Sequence, residues 1–261
     1  MGICLNKTES VPESLDSESN TFQDPLSNLK SFFQHTEERP KLPTAETKIR
    51  KSEDSSPFAK QSVKNISKLM NESGFSGKLS MTQMRRAAHK LGLNPRHLQD
   101  PDNSLFKFIL SLQTNLLFDI RKVVLGAILI ANGKPDEKAQ VLFEHFDQNN
   151  TMILEHTQIH QMLSEMLEIS VEHIPILSLG ESEENLQNEE LKSYSKELLT
   201  FKQRFIDDIL HKIITNDTPE MYEEHFIEIM TKDQHLKQLL WARGLREWIL
   251  KNYTASSKEL L

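Results

Sequence analysis

The fold is decided by the segment EKAQVLFEHFDQNNTMILEHTQIHQML, which spans Glu137 to Leu163. Apolar residues recur at helical spacing up to Phe146, and a second set does so from Ile159 onwards. The polar run DQNNT lies between the two sets, and an apolar Leu154 follows it. The segment therefore predicts a helix, an oxygen-rich loop and a second helix.

A loop of twelve residues between two helices is the EF-hand arrangement, in which calcium is bound by about six to eight oxygens. These oxygens come from loop positions 1, 3, 5, 7, 9 and 12, and the loop here runs from Asp147 to Gln158. The candidate calcium ligands are Asp147, Asn149, Thr151, the carbonyl of Ile153, Glu155 and Gln158. Leu154 falls at the eighth position, where an apolar side chain packs against a partner loop.

Two residues of this loop depart from the calcium-binding pattern. Position 6 favours glycine because the backbone turns with a positive φ there, and this chain has Met152. Position 12 is normally a bidentate glutamate, whereas Gln158 is neutral and offers one oxygen. We therefore expect calcium to bind weakly at this loop, or not at all.

The surrounding sequence strengthens the EF-hand interpretation. The stretch FDIRKVVLGAILIANGKPDEKAQVLFEHFD, Phe118 to Asp147, resembles the junction of the second and third hands in the calcineurin-B and neuronal calcium sensor group. The stretch EHFIEIMTKDQHLKQLLWARGLREWI, Glu224 to Ile249, resembles the exit of a fourth hand and the closing helix of that group. The resemblance covers roughly residues 62 to 253.

The register of that group implies four loops, arranged as two pairs. The loops are Glu72–Gln83, Ser111–Lys122, Asp147–Gln158 and Ile214–His225. Their eighth positions are all apolar: Leu79, Phe118, Leu154 and Met221.

The chelating positions of the other three loops are poor in carboxylates. The first loop keeps only Glu72, and the second keeps Asp119 but has Lys122 at its twelfth position. The fourth begins with Ile214 and ends with His225, although Asn216 and Thr218 retain oxygens. Because calcium affinity depends on the charge and number of ligands, we expect no cofactor or weak calcium at the third loop alone.

Composition excludes several other classes of function. The 261 residues carry a formal charge of -7, which disfavours nucleic acid as a partner. The single cysteine excludes an internal disulfide or a multi-cysteine zinc site. His156 and His160 share a helix face without a third metal ligand, and no catalytic motif is present, so we expect a protein that is not an enzyme.

The chain divides into four predicted regions within an all-α fold. Residues 1–60 are rich in Pro, Ser and acidic residues and are predicted to be a disordered tail. Residues 61–167 hold the first three hands, 168–200 form an acidic insertion or linker, and 201–254 hold the fourth hand and a C-terminal helix. The apolar face of residues 235–253 predicts that this last helix docks on the domain.

The N-terminal sequence MGICLNK carries two lipidation candidates, Gly2 for myristoylation and Cys4 for palmitoylation. Together they would supply the two signals that stable membrane anchoring requires. Asn6 departs from the preferred Ser or Thr of the myristoylation pattern, and an unmodified tail is the alternative. The segment also lacks the apolar core of a signal peptide, so we expect a cytoplasmic protein, with membrane-anchored or ciliary locations as alternatives.

The sequence as a whole favours a regulatory or adaptor protein that binds an amphipathic helix of a protein partner in an apolar groove. Each candidate groove residue is equally placed to belong to a core: Phe106, Phe108, Phe143, Met162, Met166, Phe226, Trp241 and Trp248. One alternative is a working calcium sensor that acts through the third loop. Another is a constitutive structural subunit of a cytoskeletal or ciliary assembly, and an unrelated helical bundle is the alternative fold.

Overall fold

The computed structural model describes residues 43–179, 184–214 and 220–254, with only the backbone of 184–188. The predicted all-α class is confirmed in outline, because helices account for most of this part of the chain. In order, the α-helices are α1 Thr44–Ser55, α2 Val63–Ser73, α3 Met81–Lys90, α4 Ser104–Ser111, α5 Ile120–Ile130, α6 Pro135–Phe146, α7 His156–Glu168, α8 Glu184–Leu199, α9 Lys202–Ile213, α10 Glu223–Lys232, α11 Gln234–Gln238 and α12 Ala242–Ile249.

Five short strands lie between these helices and form two small antiparallel sheets. The strands are β1 Lys78–Leu79, β2 Gln113–Thr114, β3 Leu117–Asp119, β4 Ile153–Glu155 and β5 Glu220–Tyr222. The first sheet has the order β1-β3-β2, and the second consists of β4 and β5. Leu79 faces Phe118 in the first sheet and Leu154 faces Met221 in the second, and all four side chains are buried.

The folded part begins before residue 60, so the predicted boundary of the tail is wrong. Helix α1 lies inside the predicted disordered region, and a short 3₁₀ turn, Pro57–Lys60, continues it. Ile49 and Phe58 are fully buried, and α1 packs against the turn Ile174–Ser178 and against α8. Residues 1–42, with Gly2 and Cys4, lie outside the described residues.

The predicted linker 168–200 is also largely built into the core. A π-helical turn, Ile169–His173, and the 3₁₀ turn that follows it bury Val171 and Ile174. Helix α8 buries one face of its C-terminal half, including Tyr194 and Leu198. In the described part of α8, the acidic residues Glu189, Glu190 and Glu197 lie on the exposed face of a packed helix.

The C-terminal segment docks on the domain as expected, but it is two helices instead of one. Helix α12 packs against α7 and against the turn Ile169–His173. The chain is extended at Trp241, where φ is -125° and ψ is 142°, which separates α11 from α12. Gly244 permits the close return of the chain, because a Cβ there would lie 1.9 Å from the carbonyl oxygen of Gln238. None of the described helices has the length and apolarity needed to cross a membrane.

Candidate functional site

The third predicted loop joins α6 to α7, and Asp147 organises its first half. One carboxylate oxygen of Asp147 accepts hydrogen bonds from the backbone N–H and the hydroxyl of Thr151, at 3.0 and 3.1 Å. The other oxygen accepts one from the backbone N–H of Met152, at 2.8 Å. Although desolvation opposes it, this set of donors lowers the pKa of Asp147 below its ordinary value. Asp147 is therefore ionised at neutral pH and already bonded within the loop.

Two other candidate ligands are bonded to each other. The hydroxyl of Thr151 also lies 3.1 Å from the carbonyl oxygen of Ile153, so its single hydrogen is shared between this carbonyl and Asp147. Met152, at the sixth position, adopts a φ of +61° as the loop geometry requires. A non-glycine residue in this region costs about 1 kcal/mol or more, so the turn is made at a cost to stability.

Gln158 occupies the twelfth position and joins the two helices directly. Its amide oxygen accepts a hydrogen bond from the backbone N–H of Glu155, at 2.8 Å. Its amide nitrogen donates one to the carbonyl oxygen of Phe146, at 3.0 Å. The side chain thus connects the last residue of α6 to the residue that precedes α7, across the loop. We call this pair of bonds the glutamine clip.

The residues of this loop do not fit a calcium ion as they are arranged here. The oxygen of Gln158 is used by the clip, and Thr151 is turned toward Ile153. Among the described residues, one group of three acidic or histidine side chains brings ligand atoms within 4.8 Å of one another, and that group is Glu168, Glu172 and His173, outside the loop. The carboxylate of Glu168 is already paired with Lys122 at 3.4 Å and with Lys202 at 3.9 Å, so it is not free to bind a metal ion.

In the first loop, Gln83 at the twelfth position makes the capping half of this arrangement. The amide oxygen of Gln83 accepts hydrogen bonds from the backbone N–H and hydroxyl of Ser80, at 2.8 and 2.9 Å. The hydroxyl of Ser80 in turn accepts a bond from the N–H of Gln83, at 3.3 Å, which completes a capping box at the start of α3. Glu72, the carboxylate that the first loop retains, is exposed and lies 3.9 Å from Lys68.

The second loop folds back on itself as a β-hairpin. Strand β2 pairs with β3, so that the loop's own backbone groups bond to one another. Asp119 accepts a hydrogen bond from the N–H of Arg121 at 2.8 Å and caps α5. Lys122, at the twelfth position, forms an ion pair with Glu168 at 3.4 Å. This loop therefore has no arrangement of oxygens for a cation.

The fourth loop is described only at its two ends. Ile214 directly follows the last residue of α9, and His225 is exposed on α10. Asn216 and Thr218 lie outside the described residues. Strand β5 occupies the seventh to ninth positions of the predicted loop, as β4 does in the third loop.

Most of the candidate groove residues lie in the core. Phe108, Phe143, Met162, Met166 and Phe226 are at most 1% exposed. The rings of Phe143 and Phe226 are 5.7 Å apart between centroids, which joins α6 to α10. Phe106, Trp241 and Trp248 are partly exposed. These eight residues do not line an open groove in this conformation.

A buried charge network near the C-terminus was missed by the sequence analysis. Arg246 is fully buried in α12, and its Nε donates to Glu46 Oε2 of α1 at 2.7 Å. Its Nη2 lies 2.9 Å from a carboxylate oxygen of Glu53, and its Nη1 donates to the carbonyl of Ser170 at 3.0 Å. The hydroxyl of Tyr194 in α8 donates to Glu46 Oε2 at 2.8 Å. We call these five residues the Arg246 cluster, and it joins four separate segments.

The electrostatics of the cluster favour the ionised forms of Glu46 and Arg246. Burial alone would raise the pKa of Glu46, but Arg246, Arg50 and Tyr194 lower it below the ordinary value. Burial raises the pKa of Glu53 despite the opposing effect of Arg246. Desolvation would lower the pKa of Arg246, yet the two carboxylates raise it further, so the guanidinium stays charged.

A second buried basic side chain fixes the break between α11 and α12. Lys138 of α6 donates to the carbonyl oxygen of Leu240 at 2.9 Å, and its Nζ lies 4.2 Å from the centre of the Trp241 ring. Burial, reinforced by Arg243, lowers the pKa of Lys138 well below its ordinary value. This contact could not be predicted from the sequence, because Lys138 lies in the first turn of α6 beside the charged residues Asp136 and Glu137.

The stability of the domain should fall as the pH is lowered from 7 to 5. Burial lowers the pKa of His145 to about 4, below its ordinary value of 6.5. The unfolded chain therefore binds a proton in this window before the folded one does, and the stabilisation present above pH 6.5 is lost toward pH 4. We expect a loss of about 1–2 kcal/mol between pH 7 and 5, measured by urea unfolding.

His145→Gln provides the control for this pH dependence, because glutamine does not titrate. The variant should lose a clearly smaller amount of stability over the same interval, with a residual effect from His173, whose pKa burial also lowers. Equal pH dependence in the variant and the wild type would contradict the assignment to His145.

Compared with models of known protein families and with curated proteins, the sequence matches none.

Proposed function

We propose that this protein is a calcium-insensitive adaptor built from two degenerate EF-hand pairs. The observation that carries the proposal is the register of the two sheets. Leu79 lies opposite Phe118, and Leu154 lies opposite Met221, and these are the eighth positions of the four loops predicted from the sequence. Pairing at this position is what the resemblance to the calcineurin-B and neuronal calcium sensor group implies.

The state of the loops supports calcium insensitivity. In an EF-hand, a bidentate glutamate at the twelfth position connects the exiting helix to the ion. Gln158 instead connects α7 to the carbonyl of Phe146 at the end of α6 without an ion. The second loop is closed by its own β-hairpin, and a cation, Lys122, stands at its twelfth position. The second and third loops therefore hold helices in place without an ion.

A partner would be an amphipathic helix that binds where the C-terminal segment now packs. Helix α12 covers α7, the helix that carries Met162 and Met166. Because methionine side chains adapt to different apolar surfaces, this site suits exchange between an internal helix and an external one. The partner's helix would need an apolar face comparable to that of α12 and would displace it.

Calcium titration of the full chain tests this proposal. We expect binding at no more than one site, with a dissociation constant above about 100 µM by isothermal titration calorimetry. The physical reason is that the lost carboxylate at position 12 and the strained Met152 each cost about 1–3 kcal/mol, and 1.4 kcal/mol is tenfold in affinity. Two or more sites below about 10 µM would overturn the proposal in favour of the calcium sensor.

Gln158→Glu should tighten any calcium binding by at least tenfold, because it restores the charge and the second oxygen. The same change removes the donor to Phe146, so the calcium-free variant should lose about 1 kcal/mol of stability. Asp147→Ala should abolish binding. Gln83→Glu is the matched control: it adds the same carboxylate to a loop that lacks the other ligands, and it should create no binding.

The adaptor role itself is tested by affinity purification from the native cell, with and without a calcium chelator. The same partners should be recovered in both conditions. Partners that appear only with calcium would favour the sensor. Recovery of polymeric cytoskeletal or ciliary components alone would favour the structural subunit.

A further inference from the structure

The outer face of the first sheet carries apolar side chains that the fold does not use. Leu79 and Phe118 point into the core, and because side chains alternate along a strand, Leu117 and Lys78 point outward. A turn lies at each end of this antiparallel pair. One turn follows Phe75, which bridges to Lys78, and the other follows Thr114, which pairs with Leu117. We call Phe75, Lys78, Leu116 and Leu117, with the sheet between them, the outer face.

The outer face exposes two large apolar residues almost completely. Phe75 is 82% exposed and Leu116 is 83% exposed. Leu116 also has a φ of +66° in a two-residue turn whose other member, Asn115, has a φ of +52°. Such turns strongly prefer Asn-Gly, so leucine at the second position strains the backbone while its side chain gains no burial. Folding of this chain does not account for Leu116, whereas a contact outside the chain would.

The charge around the outer face identifies the partner. Residues 56–134, which include the first sheet and the helices that flank it, contain twelve Lys and Arg residues against four Asp and Glu, although the whole chain has a formal charge of -7. Lys78 and Arg86 are exposed and make no ion pair with a carboxylate among the described residues. On the sheet itself Lys78 lies opposite Asp119, so the excess of positive charge belongs to the surrounding half of the domain. The face therefore combines protruding apolar residues with a positively charged surrounding segment.

The second sheet has two strands instead of three; it also exposes two large apolar residues, but its charged side chains are acidic. Met152 and Tyr222 are each 58% exposed at comparable positions. Glu155 and Glu220 are exposed on the strands beside them. Glu223 follows Tyr222, and desolvation together with the neighbouring Glu144 and Asp147 raises its pKa. An anionic surface would thus attract the first sheet and repel the second.

We propose that the outer face docks on an anionic phospholipid bilayer, with Phe75 and Leu116 inserted at the boundary between head groups and acyl chains. Lysine and arginine side chains around the sheet would lie against lipid phosphates, each contributing on the order of 1 kcal/mol. A bilayer suits this face because the apolar residues protrude from both ends of a short sheet and form no groove. The contact goes beyond the adaptor role and does not depend on lipidation of Gly2 or Cys4.

The test is vesicle flotation with the full, unacylated chain. We expect the protein to float with vesicles of 70% phosphatidylcholine and 30% phosphatidylserine, and not with pure phosphatidylcholine. Binding should fall at least tenfold between 50 and 300 mM salt, since exposed charges are screened. Absence of binding to the phosphatidylserine vesicles would overturn the proposal, as would equal binding to both compositions.

The paired substitution Phe75→Ser, Leu116→Gly should reduce binding to the phosphatidylserine vesicles at least tenfold. Both side chains are exposed and glycine accepts a positive φ, so the melting temperature should be unchanged or slightly raised. Met152→Gly, Tyr222→Ser removes comparable side chains from the second sheet and should leave binding unchanged. Equal loss in the two variants, or loss in neither, would show that the outer face of the first sheet is not the docking surface.

Discussion

Replacement of Arg246 with alanine should destabilise the domain by about 3–5 kcal/mol, the range for removal of one partner from a buried ion pair. The guanidinium is fully buried and contacts Glu46, Glu53 and the carbonyl of Ser170. Without it, two carboxylates remain in a site that water does not reach. The loss would be measured by urea unfolding at pH 7, where the midpoint should fall while the slope stays constant.

Arg50→Ala is the matched control for this prediction. Arg50 also binds Glu46, at 2.6 Å, and Glu247 at 3.1 Å, but its side chain is 24% exposed. Solvent screens such a pair, so the loss should be about 1 kcal/mol or less. Arg246→Met should lose less stability than Arg246→Ala, because the methionine side chain fills more of the buried space and leaves a smaller cavity. If Arg246→Ala costs no more than Arg50→Ala, the cluster does not stabilise the fold as described.

Removal of residues 1–60 should unfold the domain or nearly so, whereas removal of 1–42 should leave it folded. The longer deletion removes Ile49 and Phe58, two fully buried side chains worth about 1.5–3 kcal/mol each. It also leaves Arg246 without Glu46 and Glu53, which costs several kcal/mol more. The combined loss is comparable with the whole stability of a typical domain, about 5–15 kcal/mol.

The two truncated chains would be compared by circular dichroism melting under the same conditions. A cooperative transition is expected for the chain that begins at residue 43, and a broad or absent one for the chain that begins at residue 61. Melting temperatures within about 3 °C of each other would mean that α1 is a peripheral addition, because 1 kcal/mol corresponds to roughly 2–4 °C for a domain of this size.

Helices α6 and α7 and the loop between them could be predicted because their signals are local. Apolar spacing located α6 and α7, and the polar run between them located the third loop. The eighth positions were predicted from the register that the resemblance to the calcineurin-B and neuronal calcium sensor group implies. Leu154 and Met221 do face each other.

Helix α1 and the Arg246 cluster could not be predicted in this way. The buried face of α1 contains Ala45 and Ile49 but also Glu46 and Glu53. The sequence of α1 therefore lacks the continuous apolar face that predicts a packed helix. Its complement is Arg246, which lies on the apolar stripe of α12 between Leu245 and Ile249. The buried face of either helix, taken alone, contains charged residues that a core would not be expected to hold. Only their combination shows that an acidic stripe near one end of the chain matches a basic residue near the other.

Gln158 illustrates a different limit. Its position in the loop marked it as a weakened calcium ligand, yet its amide bonds to the backbone of Glu155 and Phe146. A sequence pattern identifies which side chain stands at a position, but backbone acceptors are present at every residue and leave no pattern. The clip became visible only when the distance between the two helix ends was known.

The separation of Glu46 from Arg246 along the chain has a consequence for the order of events during biosynthesis. Glu46 and Arg246 are 200 positions apart in the sequence. At roughly 5–20 residues per second, a ribosome needs about 10–40 s to add that stretch. During this time Glu46 and Glu53 of α1 lack their contacts with Arg246. The nascent chain should therefore remain incompletely closed until α12 has left the exit tunnel. Until then the incompletely closed chain should remain accessible to chaperones and proteases.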